Sequence, residues 1–231
     1  VALVTGASRG IGAGVARAFV AEGAKLTLLS RDAAALDGLA KELESAGAEV
    51  LAAPCDVTNE AQVMEAFRQT KERFGRLDLV VNNAGAFDGG PLEDLTLEAW
   101  EHVMAVNLRG PFLCTREAFR IMKPQRGGRI INVGSISAQR VRPHSAPYST
   151  SKHGVWGLTQ AAALDGREYG ISCSCIHPGN TQVERRTGDA EPMMAVSELA
   201  ETIVTMAALP GHVNMLEAIV LPVDQLYVGR G

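Results

Sequence analysis

At 231 residues the chain fits one domain of generous size, and 22 Lys plus Arg against 26 Asp plus Glu leave a formal charge of −4. That balance argues against a nucleic-acid or anionic-membrane surface as its main business. With 46% hydrophobic and 21% charged residues, the composition is that of a globular and not a disordered protein.

No apolar run approaches the roughly 18 to 20 residues that a membrane-spanning helix needs, so a soluble protein without a membrane partner is expected. The four cysteines, Cys55, Cys114, Cys173 and Cys175, are too few and scattered for a disulfide framework. A reducing, cytoplasmic setting follows as the expectation. Cys173 and Cys175 stand two apart on one face of an apolar run and read as buried thiols; no zinc site is implied. The sequence opens at Val1 inside a strand pattern with no initiator Met, so a few leading residues are expected to be missing.

Taken in chain order, short apolar and β-branched runs at 1–5, 25–30, 48–54, 77–82, 128–134, 171–177 and 216–221 predict seven strands. The first is followed by a helical face of Ile11, Val15 and Phe19. After the second, Leu36, Leu39, Ala40 and Leu43 repeat at helical spacing, with Asp32 placed as N-cap and Gly47 as stop. After the third, Val63, Phe67 and Phe74 form a stripe ended by Gly75. Near the end, Leu199, Ile203 and Met206 form another, broken by Pro210-Gly211. No repeat or composition shift divides the chain, so residues 1–231 are expected to form a single domain. The strand-helix alternation predicts a doubly wound α/β fold with a seven-stranded, mostly parallel sheet and helices on both faces. A ligand then belongs at the carboxyl ends of the strands.

The first strand runs directly into Gly6-Ala7-Ser8-Arg9-Gly10-Ile11-Gly12 and then a helix. Glycine is needed where the backbone turns tightly and approaches a pyrophosphate without a Cβ in the way, and the helix start supplies free N–H groups and a positive dipole end. The string TGASRGIG resembles the short-chain dehydrogenase/reductase family, and the likeness extends to about Gly179. It implies a Rossmann domain binding a nicotinamide cofactor. In such proteins Gly6, Ser8, Arg9, Gly10, Ile11 and Gly12 line the phosphates. Asp56 and Val57, following the third strand in Cys55-Asp56-Val57, meet the adenine, and Asn83, Ala84 and Gly85, following the fourth in Asn82-Asn83-Ala84-Gly85, support the site.

An acid at the end of the second strand usually bonds the adenosine ribose, whereas arginine accommodates a 2′-phosphate. Here Ser30 ends the strand, Arg31 follows, and Arg9 in the glycine loop is able to face the same phosphate. The two guanidiniums imply NADP(H). A competing reading takes Asp32 as the ribose acid; its place ahead of a helical stripe favours the N-cap instead.

Tyr148 and Lys152 stand four apart, on one helical face and within mutual reach. Ser135 lies thirteen positions upstream of Tyr148 at the end of the fifth strand, and Asn107 sits in Val106-Asn107-Leu108-Arg109-Gly110. The resemblance makes these four the catalytic set. A phenol near pKa 10 is a poor proton donor or acceptor partner at neutral pH until positive charge favours the phenolate, and Lys152 supplies that charge. Tyr148 would then deliver or take the proton, Ser135 bond the developing alkoxide, and Asn107 hold a helix bend and a water. Lys152 and Tyr148 would also touch the nicotinamide ribose, and Pro178, Gly179 and Thr181 the carboxamide. The family usually ends this turn with Thr three positions after Asn180, where this chain has Val183. His177, ahead of the turn, reads as structural.

Residues 181–196 leave little chain for a mobile lid, and 182–194 include the charged run Glu184, Arg185 and Arg186. Arg140, Arg142 and His144 precede the catalytic helix and form a positive cluster, a solvated loop or a receptor for an anionic substrate. The tail, from Leu209-Pro210-Gly211 to Pro222-Val223-Asp224-Gln225, resembles the branch holding NADP-dependent 3-hydroxy acid dehydrogenases. The expectation is hydride transfer between NADP(H) and a small carbonyl or alcohol substrate, a 3-hydroxy or 3-oxo acid among them. A 3-oxoacyl thioester reductase and a non-catalytic NADP(H)-binding sensor or scaffold are the alternatives. Family habit implies a homo-oligomer, tetramer or dimer.

Overall fold

In a computed structural model the structure describes residues 1–183 and 191–226. The strands are β1 (Ala2–Thr5), β2 (Leu26–Ser30), β3 (Val50–Pro54), β4 (Leu79–Asn82), β5 (Gly128–Val133), β6 (Ile171–Pro178) and β7 (Glu217–Val220). The helices are α1 (Gly10–Ala21), α2 (Ala33–Ser45), α3 (Glu60–Phe74), α4 (Leu97–Met104), α5 (Gly110–Gln125), α6 (Ala146–Gly166) and α7 (Val196–Ala208). All strand pairs are parallel, in the order β3-β2-β1-β4-β5-β6-β7. The expected sheet is present, wholly and not mostly parallel.

Burial on both faces explains why the central strands read as near-continuous apolar runs. One core cluster joins Val4, Leu28 and Ile131 to α1, α2 and α7 through Phe19, Leu36 and Ile203. The other joins Leu3, Val80 and Ile130 to α3 and α5 through Phe67, Leu113 and Met122. The helix signals act as read: Asp32 caps α2 by accepting the Ala35 N–H at 3.0 Å, and Gly75 ends α3 in the left-handed conformation at φ 76°.

Two features carry the fold where local pattern is weak. Between α4 and α5 the backbone loosens into a π-helical segment, Ala105–Arg109, holding Asn107. At the amino end of β5, buried Arg129 donates to the carbonyls of Leu209, Pro210 and Val213 at 3.1, 3.3 and 3.0 Å, tying down the connection from α7 to β7. The sheet order puts the strand-order reversal between β1 and β4, so the crevice opens over their carboxyl ends. Among the described residues, no helix is long and apolar enough to cross a membrane.

Candidate active site

The crevice is built from β1 and β4. Thr5, buried at the end of β1, accepts the backbone N–H groups of Asn83 and Ala84, each at 3.0 Å. Asn83 returns its side-chain amide to the carbonyls of Thr5 and Gly6 at 2.9 and 3.2 Å. This clamp presses Gly6 against Ala84: Gly6 has φ +62°, and a Cβ there would stand 2.8 Å from Ala84 Cα. A Cβ on Gly12 would lie 2.3 Å from the Gly6 carbonyl oxygen. Only glycine fits at either place.

Helix α1 starts at Gly10, and its N-cap, Arg9, makes no capping bond from its side chain. Its first N–H groups therefore remain for an anion. Arg9 and Arg31 are both exposed, and the residues just before them are joined, Ser30 donating to Ser8 at 2.8 Å. Asp32 spends Oδ1 on the cap of α2. Asp56, past β3, accepts from the N–H and hydroxyl of Thr58 at 2.9 and 2.8 Å. Burial pulls its pKa up, but these bonds and the charges of Arg31 and His102 outweigh it and hold the carboxyl below its ordinary range. Val57 packs against Gly110, where a Cβ would stand 2.9 Å from its Cγ2.

On the other side of the crevice lie Asn107, Ser135, Tyr148 and Lys152. Asn107 accepts from Ala86 N at 2.7 Å and donates to Ala86 O at 2.9 Å and Ser151 Oγ at 3.1 Å. It thus pins the loop after β4 to α6. Lys152, buried on α6, donates to the Val133 carbonyl at 2.8 Å, and its Nζ stands 5.6 Å from the centre of the Tyr148 ring. Ser135 follows β5; its Oγ accepts the Ser137 N–H at 3.1 Å, and no acceptor takes its hydroxyl proton among the described residues. Phe87 lies over the Tyr148 ring at 5.2 Å.

The turn after β6 carries Pro178, Gly179 and Thr181. Thr181 forms a bridge with Met194, and its hydroxyl donates to the Gly179 carbonyl at 3.3 Å. The expected positive cluster is corrected in part. Arg142 donates to Glu191 at 3.0 Å and to Asn180 Oδ1 at 3.4 Å, so its charge is offset by a carboxylate from beyond the turn. Arg140 stays exposed. The charged run Glu184, Arg185 and Arg186 lies outside the described residues. Burial pushes the thiol of Cys55 up to about 11 and those of Cys173 and Cys175 to about 12, so these remain protonated at neutral pH.

Sequence reading missed Thr5, Ser151 and Gln225. Buried Gln225, from the tail, accepts the Asn180 N–H at 2.8 Å, and a Cβ on Gly179 would lie 2.2 Å from the same oxygen. No local pattern announces such contacts.

A doubly wound sheet with a glycine crevice at its reversal point, facing a buried lysine beside a tyrosine, defines a dinucleotide-type oxidoreductase. Residues 1–193 match the family model described as short chain dehydrogenase. The chain is 36% identical over 202 residues to the 3-oxoacyl-(acyl-carrier-protein) reductase of Synechocystis sp., covering 87% of this chain and 82% of that one. A metagenomic short-chain oxidoreductase solved in complex with NADP superposes with a TM-score of 0.86 at 31% identity, covering 96% of both chains. A variant of the actinorhodin polyketide ketoreductase solved with NADPH gives 0.89 at 32% identity, covering 95% of both. The chain belongs to the short-chain dehydrogenase/reductase family, oxidoreductases that act on CH–OH and C=O groups.

Proposed function

We propose that the protein transfers a hydride between NADP(H) and a small carbonyl or alcohol substrate, with a 3-oxo or 3-hydroxy acyl group as the substrate class. The observation that carries the reading is the arrangement at α6 and β5: Lys152 Nζ, fixed by the Val133 carbonyl, lies 5.6 Å from the Tyr148 ring centre, while the Ser135 hydroxyl proton, just past β5, is uncommitted among the described residues. The glycine cradle at Gly6 and Gly12, the free start of α1, and exposed Arg9 and Arg31 fit a phosphorylated dinucleotide. The two NADP(H)-bound structures above support the phosphorylated form.

Gly10, Ile11 and Ser8 would bind the pyrophosphate, Arg9 and Arg31 the 2′-phosphate, Asp56 and Val57 the adenine, and Asn83, Ala84 and Gly85 would back the ribose. Pro178, Gly179 and Thr181 would hold the carboxamide end. When bound, the cofactor supplies or accepts the hydride. In reduction, Tyr148 donates its phenolic proton to the carbonyl oxygen. Lys152 stabilises the phenolate left behind, and the Ser135 hydroxyl donates to the developing alkoxide. Asn107 keeps the loop after β4 and helix α6 in register, so that Tyr148 faces the crevice. Oxidation runs the same path with Tyr148 as base.

The 3-oxoacyl class draws support from the Synechocystis relative, whose name states that activity; a thioester would need no carboxylate receptor, consistent with Arg142 being paired to Glu191. Self-association is also proposed. Met104, Leu108, Phe112 and Leu158 line an open groove of about 440 Å³ on the outer side of α4, α5 and α6, and a second copy would cover it. Light scattering at a mass of one chain would refute that.

The deciding experiment follows NADPH absorbance over 3-oxo esters, 3-oxoacyl thioesters, aldehydes and neutral ketones, with NADH in parallel and Tyr148→Phe as control. Turnover that prefers NADPH, favours a 3-oxo compound and vanishes in the variant is expected. Tight NADPH binding without turnover on any class would refute the reading in favour of a sensor.

A further inference from the structure

Phe87, in the loop after β4, is 60% exposed, yet its ring is packed: the centre stands 5.2 Å from that of the half-buried Tyr148 ring, tilted by 59°. An apolar ring gains nothing by facing water, so something must hold it there. The backbone on each side does. Ahead of it, Asn107 engages both polar groups of Ala86, accepting the N–H at 2.7 Å and donating to the carbonyl at 2.9 Å. Behind it, the loop runs against the residues that lead into α6: a Cβ on Gly89 would lie 2.0 Å from the His144 carbonyl oxygen. His144 holds a left-handed φ of 58° at that contact, a conformation that persists only where its surroundings enforce it.

The same asparagine reaches the tyrosine. Asn107 donates to Ser151 Oγ at 3.1 Å, and that hydroxyl donates to the Tyr148 carbonyl at 2.7 Å. One side chain thus sets Ala86, next to Phe87, and, through Ser151, the backbone of Tyr148. The two rings are held relative to each other. Any carbonyl whose oxygen takes the Tyr148 proton brings its own substituents to a fixed apolar face beside the phenol. Hydrocarbon buried there is stabilised, whereas a charged group would lose water without gaining a partner.

We propose that Phe87 is a specificity-determining residue whose ring receives the hydrocarbon group borne by the reacting carbonyl carbon. The preferred substrates are then 3-oxo acyl compounds with an alkyl chain or an aryl ring at that position in place of methyl. The proposal deepens the reading of the site given above and rests on Tyr148 as the proton donor.

The test compares three esters that differ only in this group: ethyl acetoacetate with methyl, ethyl 3-oxohexanoate with propyl and ethyl benzoylacetate with phenyl. Measured at saturating NADPH, kcat/KM is taken for wild type, Phe87→Ala, Phe87→Leu and Phe87→Gln, with Tyr148→Phe as control and NADPH affinity read from its fluorescence. The esters differ in intrinsic reactivity, and comparing variants on one ester cancels that difference.

Phe87→Ala should lower kcat/KM about tenfold or more on the propyl and phenyl esters, the low end of what an apolar pocket discriminates, and less than about threefold on ethyl acetoacetate. Phe87→Leu, still apolar, should lose less, and Phe87→Gln, of similar length but polar, as much as alanine. NADPH affinity should stay within about twofold, since the ring is assigned to the substrate. An equal fall on all three esters means that Phe87 merely props Tyr148, and overturns the proposal alone. So does a glutamine variant as good as wild type, or a loss matched by weaker NADPH binding, which would place the ring at the cofactor. Turnover that survives in Tyr148→Phe, or is absent for every ester, overturns the reading of the site and this proposal with it.

Discussion

Thr5→Val replaces a hydroxyl by a methyl of the same shape and removes one oxygen from the whole cradle. That oxygen accepts two backbone N–H groups, of Asn83 and Ala84, each at 3.0 Å, in a side chain 2% exposed. Stranding a buried donor costs roughly 1–3 kcal/mol. Asn83 and Ala84 are only half-buried, so the low end applies and the two together come to about 2–3 kcal/mol. For a chain of 150 to 250 residues each kcal/mol moves Tm by about 2–4 °C, so Tm should fall by about 4–12 °C. Thr5→Ser keeps the acceptor and should retain most of the stability. Because the same bonds press Gly6 and Ala84 together, NADPH affinity should fall in the valine variant and not in the serine one. Differential scanning calorimetry and fluorescence titration read both. A valine variant melting within about 1 °C of wild type would refute the view that β4 holds the glycine loop through this oxygen.

Gly12→Ala puts a Cβ 2.3 Å from the Gly6 carbonyl and 2.5 Å from the Asn83 amide, so NADPH binding by titration should weaken more than about tenfold while far-ultraviolet circular dichroism is retained. Arg31→Ala removes one of two exposed guanidiniums beside β2; the preference for NADPH over NADH in paired titrations should fall about 10- to 100-fold, and an unchanged KM for NADPH would remove Arg31 from the phosphate site. Asp56 has a carboxyl pKa below its unfolded value, so its contribution to stability is full above about pH 4 and is lost as pH falls through the folded value. Urea midpoints at pH 7 and pH 3 should therefore converge in Asp56→Asn more than in the wild type.

Much of this is legible in the sequence because it is local. Strand periodicity, the Asp32 cap and the Gly75 stop each depend on neighbours within a few residues. The β4–β5 interval is less legible. Its helices α4 and α5 are joined by a π segment and α5 carries Pro111 at its start and Pro124 near its end, which blurs any single helical stripe. Contacts across the sheet leave no trace of this kind. Thr5 meets Asn83 at a separation of 78 residues, and Asn180 meets Gln225 at 45. Arg142 read as part of a positive cluster because charge in a sequence shows sign and order, whereas its partner Glu191 stands 49 residues away.

The strand order also dictates when the site can exist. β1 lies in the middle of the sheet, between β2 and β4, so the glycine loop made at residue 6 waits for Asn83 before it is held. The backbone at Asn180 waits for Gln225, and β6, whose His177 meets Ser135, waits for its partner strand β7. During synthesis, a nascent chain stopped before Glu217 already has its tyrosine, lysine and serine in the polypeptide, yet lacks the strand that pairs with β6. The crevice thus waits for β7 and Gln225 to leave the ribosome, and a chain stopped short of them lacks the contacts that hold its far wall.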